Sequence, residues 1–98
     1  MAYQIVTKNR FKKKVTKILG FLEKEWSKKV AQEFLKKIDK KFDTLSKQPL
    51  IGRHSEKYKN VRCVLITPHN KMYYRIEGNK VIIINLFDTR SDPEKNPY

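Results

Sequence analysis

One cysteine, three glycines and four prolines are spread over 98 residues. The lone thiol, Cys63, excludes an internal disulfide framework and any cysteine-based zinc cluster. In its β-branched surroundings Cys63 reads as a buried small hydrophobe. Gly20, Gly52 and Gly78 stand apart, so no glycine-rich loop is available to cradle a phosphate. Histidine is scarce too. His54 and His69 sit in loop-like composition with no further ligands at coordinating spacing, which points to no metal and no cofactor. No apolar run approaches the roughly 20 residues of a membrane span. The longest, Val81 to Phe87, is interrupted by Asn85. The segment from Met1 to Arg10 lacks the apolar stretch of a secretory signal, so the expected location is cytoplasmic.

The deficit of acidic residues is the largest. Ten Asp and Glu face twenty-three Lys and Arg, a formal net charge of +13. The length allows one domain, residues 1–98. An apolar content of 39%, with 11% aromatic, is enough for a compact core and argues against disorder. A charge of +13 on so small a body calls for a counter-charge: nucleic acid, an anionic membrane surface or an acidic protein. Solvated lysine faces without a specific partner are the plainer reading.

Ala2 to Val6 alternates weakly and reads as a short strand. From Phe11 the period changes: Val15, Ile18, Leu19 and Leu22 share one face of a helix. Val30, Phe34, Ile38, Phe42 and Leu45 form a second helical stripe, with Ser27 as its N-cap. Pro49 and Gly52 stop it, and two adjacent amphipathic helices pack most simply as an antiparallel hairpin. Glu25 with Lys29 and Glu33 with Lys37 are spaced for i,i+4 pairing. Val61–Ile66, Lys71–Glu77 and Lys80–Phe87 then read as three strands. Gly78-Asn79 is a two-residue hairpin signal that sets Glu77 opposite Lys80, Arg75 opposite Ile82 and Tyr73 opposite Ile84. By alternation, Met72, Tyr74, Ile76, Val81, Ile83 and Phe87 face the helices, and Tyr73, Arg75, Ile82, Ile84 and Leu86 line a partly open, concave face. The expected fold is α+β, in the order β-α-α-β-β-β, with a helical hairpin on a small antiparallel sheet.

The candidate chemistry lies in cations of the sheet half: Arg53, Lys57, Arg62, Lys71, Arg75 and Arg90. Arginine suits fixed bidentate phosphate contacts. Such a cluster could hold an RNA phosphate and stabilise the charge that develops when a 2′-hydroxyl attacks it. Tyr73, Tyr74 or Tyr98 could stack a base. The competing reading pairs Arg75 and Arg90 with Glu77, Asp88 or Asp92 as structural salt bridges.

Several strings, in this order and spacing, resemble the RelE/ParE superfamily of toxins from bacterial type II toxin–antitoxin systems. They are Ala31-Gln32-Glu33-Phe34-Leu35 through Leu45-Ser46-Lys47-Gln48-Pro49-Leu50-Ile51-Gly52, then Val61-Arg62, Met72-Tyr73-Tyr74-Arg75-Ile76, and Phe87-Asp88-Thr89-Arg90-Ser91-Asp92-Pro93. The resemblance spans nearly the whole chain. It implies a toxin neutralised by an acidic cognate antitoxin that wraps the basic surface. RelE-like members cut messenger RNA in the ribosomal A site with basic residues and a tyrosine near the C-terminus. ParE-like members inhibit DNA gyrase and lack that set.

Carried over by position, Arg62 matches a catalytic lysine of the RelE-like type, Lys71 an arginine opening the third sheet strand, and Arg90 an arginine just after the last strand. The tyrosine has no clean counterpart: Tyr98, the candidate for its role, is eight residues past Arg90 on a Pro-containing tail, farther than the family places it. Val64 occupies the place of a second catalytic lysine. Arg53, His54, Lys57 and Arg75 complete a candidate nucleic-acid-binding surface. Arg90-Ser91-Asp92-Pro93, by contrast, resembles a ParE-like ending. The function implied is a toxin of the plasmid-stabilisation type, an RNA-binding, metal-independent endoribonuclease acting on messenger RNA at the ribosome to block translation. Gyrase inhibition and non-catalytic nucleic-acid binding are the alternatives.

Overall fold

The weak alternation at the N-terminus becomes β1 (Gln4–Thr7), and the change of period after it becomes α1 (Asn9–Glu25). The computed structural model describes residues 2–89. The second stripe forms α2 (Lys28–Lys47), whose N-cap is Ser27: its hydroxyl accepts from the Val30 N–H at 3.2 Å. A 3-10 turn over Pro49–Ile51 leads to the two-residue β2 (Arg53–His54). Then come β3 (Val61–Thr67), β4 (Asn70–Glu77) and β5 (Lys80–Asp88).

Five strands form one sheet in the order β1-β5-β4-β3-β2. The expected α+β class and helical hairpin are present. The sheet is mixed, because β1 runs parallel to β5 while the other pairs are antiparallel. Parallel neighbours need a long crossover, and here everything from α1 to β4 lies between the two strands. With β1 on its outer side, β5 becomes an interior strand, which explains its nearly unbroken apolar run.

The hairpin turn follows its sequence signal. Gly78 has φ +58°, as the first central position of a II′ turn requires, and Glu77 pairs with Lys80 and Arg75 with Ile82. Beyond that the expected register fails. Tyr74 pairs with Ile83 but Tyr73 pairs with Asn85, so Ile84 is an extra residue in a β-bulge. The slip exchanges the faces of everything after it. Leu86 turns into the helix-packed core, and Phe87 turns to the other side, edge-on to Tyr73 with ring centroids 6.1 Å apart. Asn85, the polar residue inside the apolar run, is buried at the bulge, and its Oδ1 accepts from the Leu86 N–H at 2.8 Å.

The core lies between the helices and one sheet face. Phe11, Phe34, Ile38 and Leu45 meet Ile66, Met72, Tyr74, Val81, Ile83 and Leu86. The opposite face is less open than expected: Tyr73 and Ile82 are only 3% and 4% exposed. The i,i+4 ion pairs expected at Glu25–Lys29 and Glu33–Lys37 are not formed. Among the described residues the ion pairs are Lys47–Asp43 and Arg75–Glu77.

Tyr74 fastens α2's exit to the sheet. Its hydroxyl donates to the Pro49 carbonyl at 2.7 Å and accepts from the Gly52 N–H at 2.9 Å. A side chain at position 52 would run into the Tyr74 ring and hydroxyl, so this close approach requires glycine. Burial pushes the Tyr74 pKa above the ordinary 10.0, opposed by the Gly52 N–H and the Arg62 charge. Tyr74→Phe strands a buried donor and acceptor and should cost about 1–3 kcal/mol in urea or thermal unfolding. Because the folded pKa is the higher one, Tyr74's contribution is complete below the unfolded value and is lost as pH rises through the folded one. The variant should therefore lose less stability than wild type between neutral and strongly alkaline pH.

Candidate functional site

Cross-strand partners share a face, so the ladder sorts the candidate cations. Lys71, Tyr73 and Arg75 lie on one side of β4; Arg53 joins them through Cys63, its partner in β3. Val61, Cys63, Leu65 and Ile82 supply the apolar ground between the charges. Cys63 is half-buried there, outside the helix-packed core. Lys71 and Arg75 are four residues apart on one strand, about 13 Å along it. The Arg75 Nε donates to Glu77 Oε1 at 2.9 Å, the structural pairing offered by the competing reading of the sequence.

Arg62 goes the other way. It pairs with Tyr74 across β3–β4 and so shares the helix-side face, opposite to Lys71. Its guanidinium donates to the Gly52 carbonyl at 2.9 Å and to the Leu50 carbonyl at 3.2 Å. Both bonds brace the same connection that Tyr74 fastens. His54, paired with Arg62, lies on that side too, and its Nδ1–H donates to the Lys59 carbonyl at 3.2 Å. Lys57 is in the exposed β2–β3 loop, where the Ser55 hydroxyl accepts from its backbone N–H at 3.2 Å.

Arg90 and Tyr98 lie outside the described residues. Their approach is fixed up to Thr89, whose N–H donates to the His69 carbonyl at 2.8 Å and whose hydroxyl donates to the Pro68 carbonyl at 3.1 Å. The β3–β4 turn thus holds the chain immediately before Arg90. Of the four residues matched to RelE-like chemistry, two are described, and they stand on opposite faces. Among the described residues no group of three or more His, Cys, Asp or Glu could hold a metal ion, and no helix is long and apolar enough to cross a membrane.

One residue escaped the sequence reading. Lys14, in the run Lys12-Lys13-Lys14, places its ammonium 4.2 Å from the centroid of the Phe87 ring, a cation–π contact. Burial, and then the charges of Arg10 and Lys17, hold its pKa below the ordinary lysine value. Its i,i+4 relation to Ile18, at the border of the apolar stripe, was the available signal.

These contacts separate bracing cations from surface ones. Arg62→Gln should lose about 1–2 kcal/mol through the unsatisfied Leu50 and Gly52 carbonyls, seen as a lower thermal midpoint. Lys71→Gln, with no such bonds, should leave the midpoint nearly unchanged.

Residues 5–93 match the family model described as the ParE toxin of the type II toxin–antitoxin system parDE. Comparison with curated protein sequences returns no match. The structure is similar to one from the chromosomal ParDE system of P. aeruginosa, with TM-score 0.75 and 14% identity, covering 89% of this chain and 96% of that one. It is also similar to one from the RelBE2 toxin–antitoxin complex of Mycobacterium tuberculosis, with TM-score 0.64 and 14% identity over 90% and 99%. The isolated RelE toxin of E. coli gives TM-score 0.62 and 13% identity over 95% and 90%. At such identities the structural likeness speaks for the fold, while the family model spans nearly all the sequence. The chain belongs to the ParE toxin family of type II toxin–antitoxin systems.

Proposed function

We propose that this toxin arrests growth by inhibiting DNA gyrase and is held inactive by an acidic cognate antitoxin. The observation that carries the first half is the position of Arg62. Cleavage of the RelE-like kind would rely on cations gathered about one phosphate, preorganised where charge develops. Here Arg62 braces the α2–β2 connection on the helix side, Lys71 faces away from it, and the neighbouring match is the neutral Val64. That arrangement supports a protein that acts by binding. The ParE-like ending Arg90-Ser91-Asp92-Pro93 and the ParE family model support it further. Arg53, Lys71 and Arg75 are the surface proposed to meet the target.

The antitoxin half rests on charge. The two helices carry thirteen Lys and Arg against five Asp and Glu, with one ion pair between side chains within them among the described residues. A partner that binds only the folded state stabilises it by mass action, by about 2.7 kcal/mol at a hundred times its Kd. An acidic partner would also remove self-repulsion, so the gain should shrink as salt is raised.

Inducible expression in bacteria, with labelled thymidine and methionine incorporation followed over the first minutes, tests the target. Thymidine incorporation should fall first, and the purified protein should block supercoiling by gyrase. Methionine incorporation falling first, together with cleavage of ribosome-bound messenger RNA that Arg90→Ala abolishes, would instead establish the RNA-cleaving reading.

A further inference from the structure

The excess charge of the helices is not spread evenly around them. At 3.6 residues per turn, Arg10, Lys13, Lys17 and Lys24 fall within about 60° of one another on α1, and Lys29, Lys36, Lys40 and Lys47 within about 40° on α2. Each set lies opposite the apolar stripe of its own helix. Both stripes pack into the same core, Phe11, Ile18 and Leu22 from α1 and Phe34, Ile38 and Leu45 from α2. The two rows therefore point the same way, out from the sheet, and all eight residues are exposed. Along the helix axes they run about 21 Å and about 27 Å.

What lies between these cations is polar or small. Thr16 and Gly20 fill the row on α1, which contains no acidic residue. Glu33 and Asp43 flank the row on α2, where Lys47 and Asp43, 3.3 Å apart, make an exposed ion pair of little strength. Gly20 is exposed, and beyond its own stretch of helix no atom lies within 4 Å of where a Cβ would stand. Packing does not ask for glycine there, and glycine weakens a helix interior. It does leave the main chain bare between Lys17 and Lys24, where the backbone of a ligand can come close.

The chemistry of the rows selects the partner. A protein interface is built around buried apolar anchors, and a membrane surface takes up apolar side chains beside basic ones. Neither row contains an apolar side chain. Phosphate asks only for charge. A duplex presents one phosphate about every 3.4 Å along each strand, so the row on α2 would lie along roughly eight of them. Lysine, a point charge on a flexible stem, suits contacts that follow a backbone without reading bases.

We infer that the solvent face of the helical hairpin binds the phosphate backbone of duplex DNA, without regard to sequence, through these two rows of cations. The choice of DNA rests on the gyrase reading above, in which the target itself holds a duplex. The sheet face keeps Arg53, Lys71 and Arg75 for the enzyme, and the helix face holds the toxin on the DNA beside it. Affinity of this kind comes from release of condensed counterions and falls steeply with salt.

The probe is a fluorescent duplex of about 30 base pairs and arbitrary sequence, titrated with the whole toxin in the absence of gyrase. Anisotropy is read from about 50 to 200 mM salt. About five phosphate contacts give a slope near −4.5 in log affinity against log salt, a loss of roughly 500-fold over that range. Lys13→Gln/Lys17→Gln and Lys36→Gln/Lys40→Gln should each weaken binding by about tenfold or more and flatten the slope by about 2. Gly20→Glu, which sets a carboxylate in the row on α1 and removes a weak helix former, should weaken it comparably while the thermal midpoint does not fall. Lys59→Gln/Lys80→Gln removes the same charge away from the helices and should change affinity by less than about threefold. Absence of salt-dependent binding, a Lys59/Lys80 pair as damaging as the helix pairs, or tighter binding to duplex RNA of the same length overturns the inference. Inhibition of supercoiling is scored separately. Inhibition that persists without DNA binding removes this inference alone, and DNA binding without inhibition removes the gyrase reading alone.

Discussion

The Tyr74 hydroxyl sits where three parts of the molecule meet: the middle of the central strand, the C-terminal exit of α2, and the start of the edge strand. It donates to Pro49 and accepts from Gly52, so both main-chain groups find partners in a region where water cannot reach them. A buried polar pair without partners would cost more than the bonds gain, so the three segments can only be assembled together. Gly52 permits the close approach and Arg62 closes it from the other side through two carbonyls. The consequence for function is direct. A cation that matched a catalytic position is committed to the main chain, and the sheet face away from the helices keeps Arg53, Lys71 and Arg75.

Charge is the second constraint, and it acts in the opposite direction. A folded body at +13 repels itself, and its two helices hold most of the excess. The helix lysines are mostly exposed, where water and salt screen them and each contributes little. Lys14 differs because it is half-buried over an aromatic ring between like charges.

Much of the architecture was legible in the residues. Val15, Ile18, Leu19 and Leu22, and then Val30, Phe34, Ile38 and Leu45, carry the helical period openly, and Gly78-Asn79 marks a turn that only a positive φ can make. The bulge at Ile84 was not legible, because alternation has no means of registering an extra residue in a continuous apolar run. Asn85 was its one trace: a polar side chain that an interior strand tolerates only where it can bond to local main chain. That slip moved Leu86 into the core and Phe87 to the other face, where Lys14 reaches it. The parallel pairing of β1 with β5 was hidden for another reason, since it joins residues some 76 positions apart.

The sequence alone determined the local terms: two amphipathic helices, three long strands, a capped α2, a tight Gly78 turn and an excess of positive charge. These follow from side-chain period, backbone preference and composition, which are properties of neighbouring residues. Only the tertiary structure decided which face each cation took. Arg62 and Lys71 are both basic residues in strand patterns, and nothing local distinguishes a guanidinium that braces a buried turn from a lysine on the opposite sheet face. That distinction depends on strand register and on where the unsatisfied carbonyls of Leu50 and Gly52 come to rest. Both are set by contacts between parts of the chain that are distant in sequence.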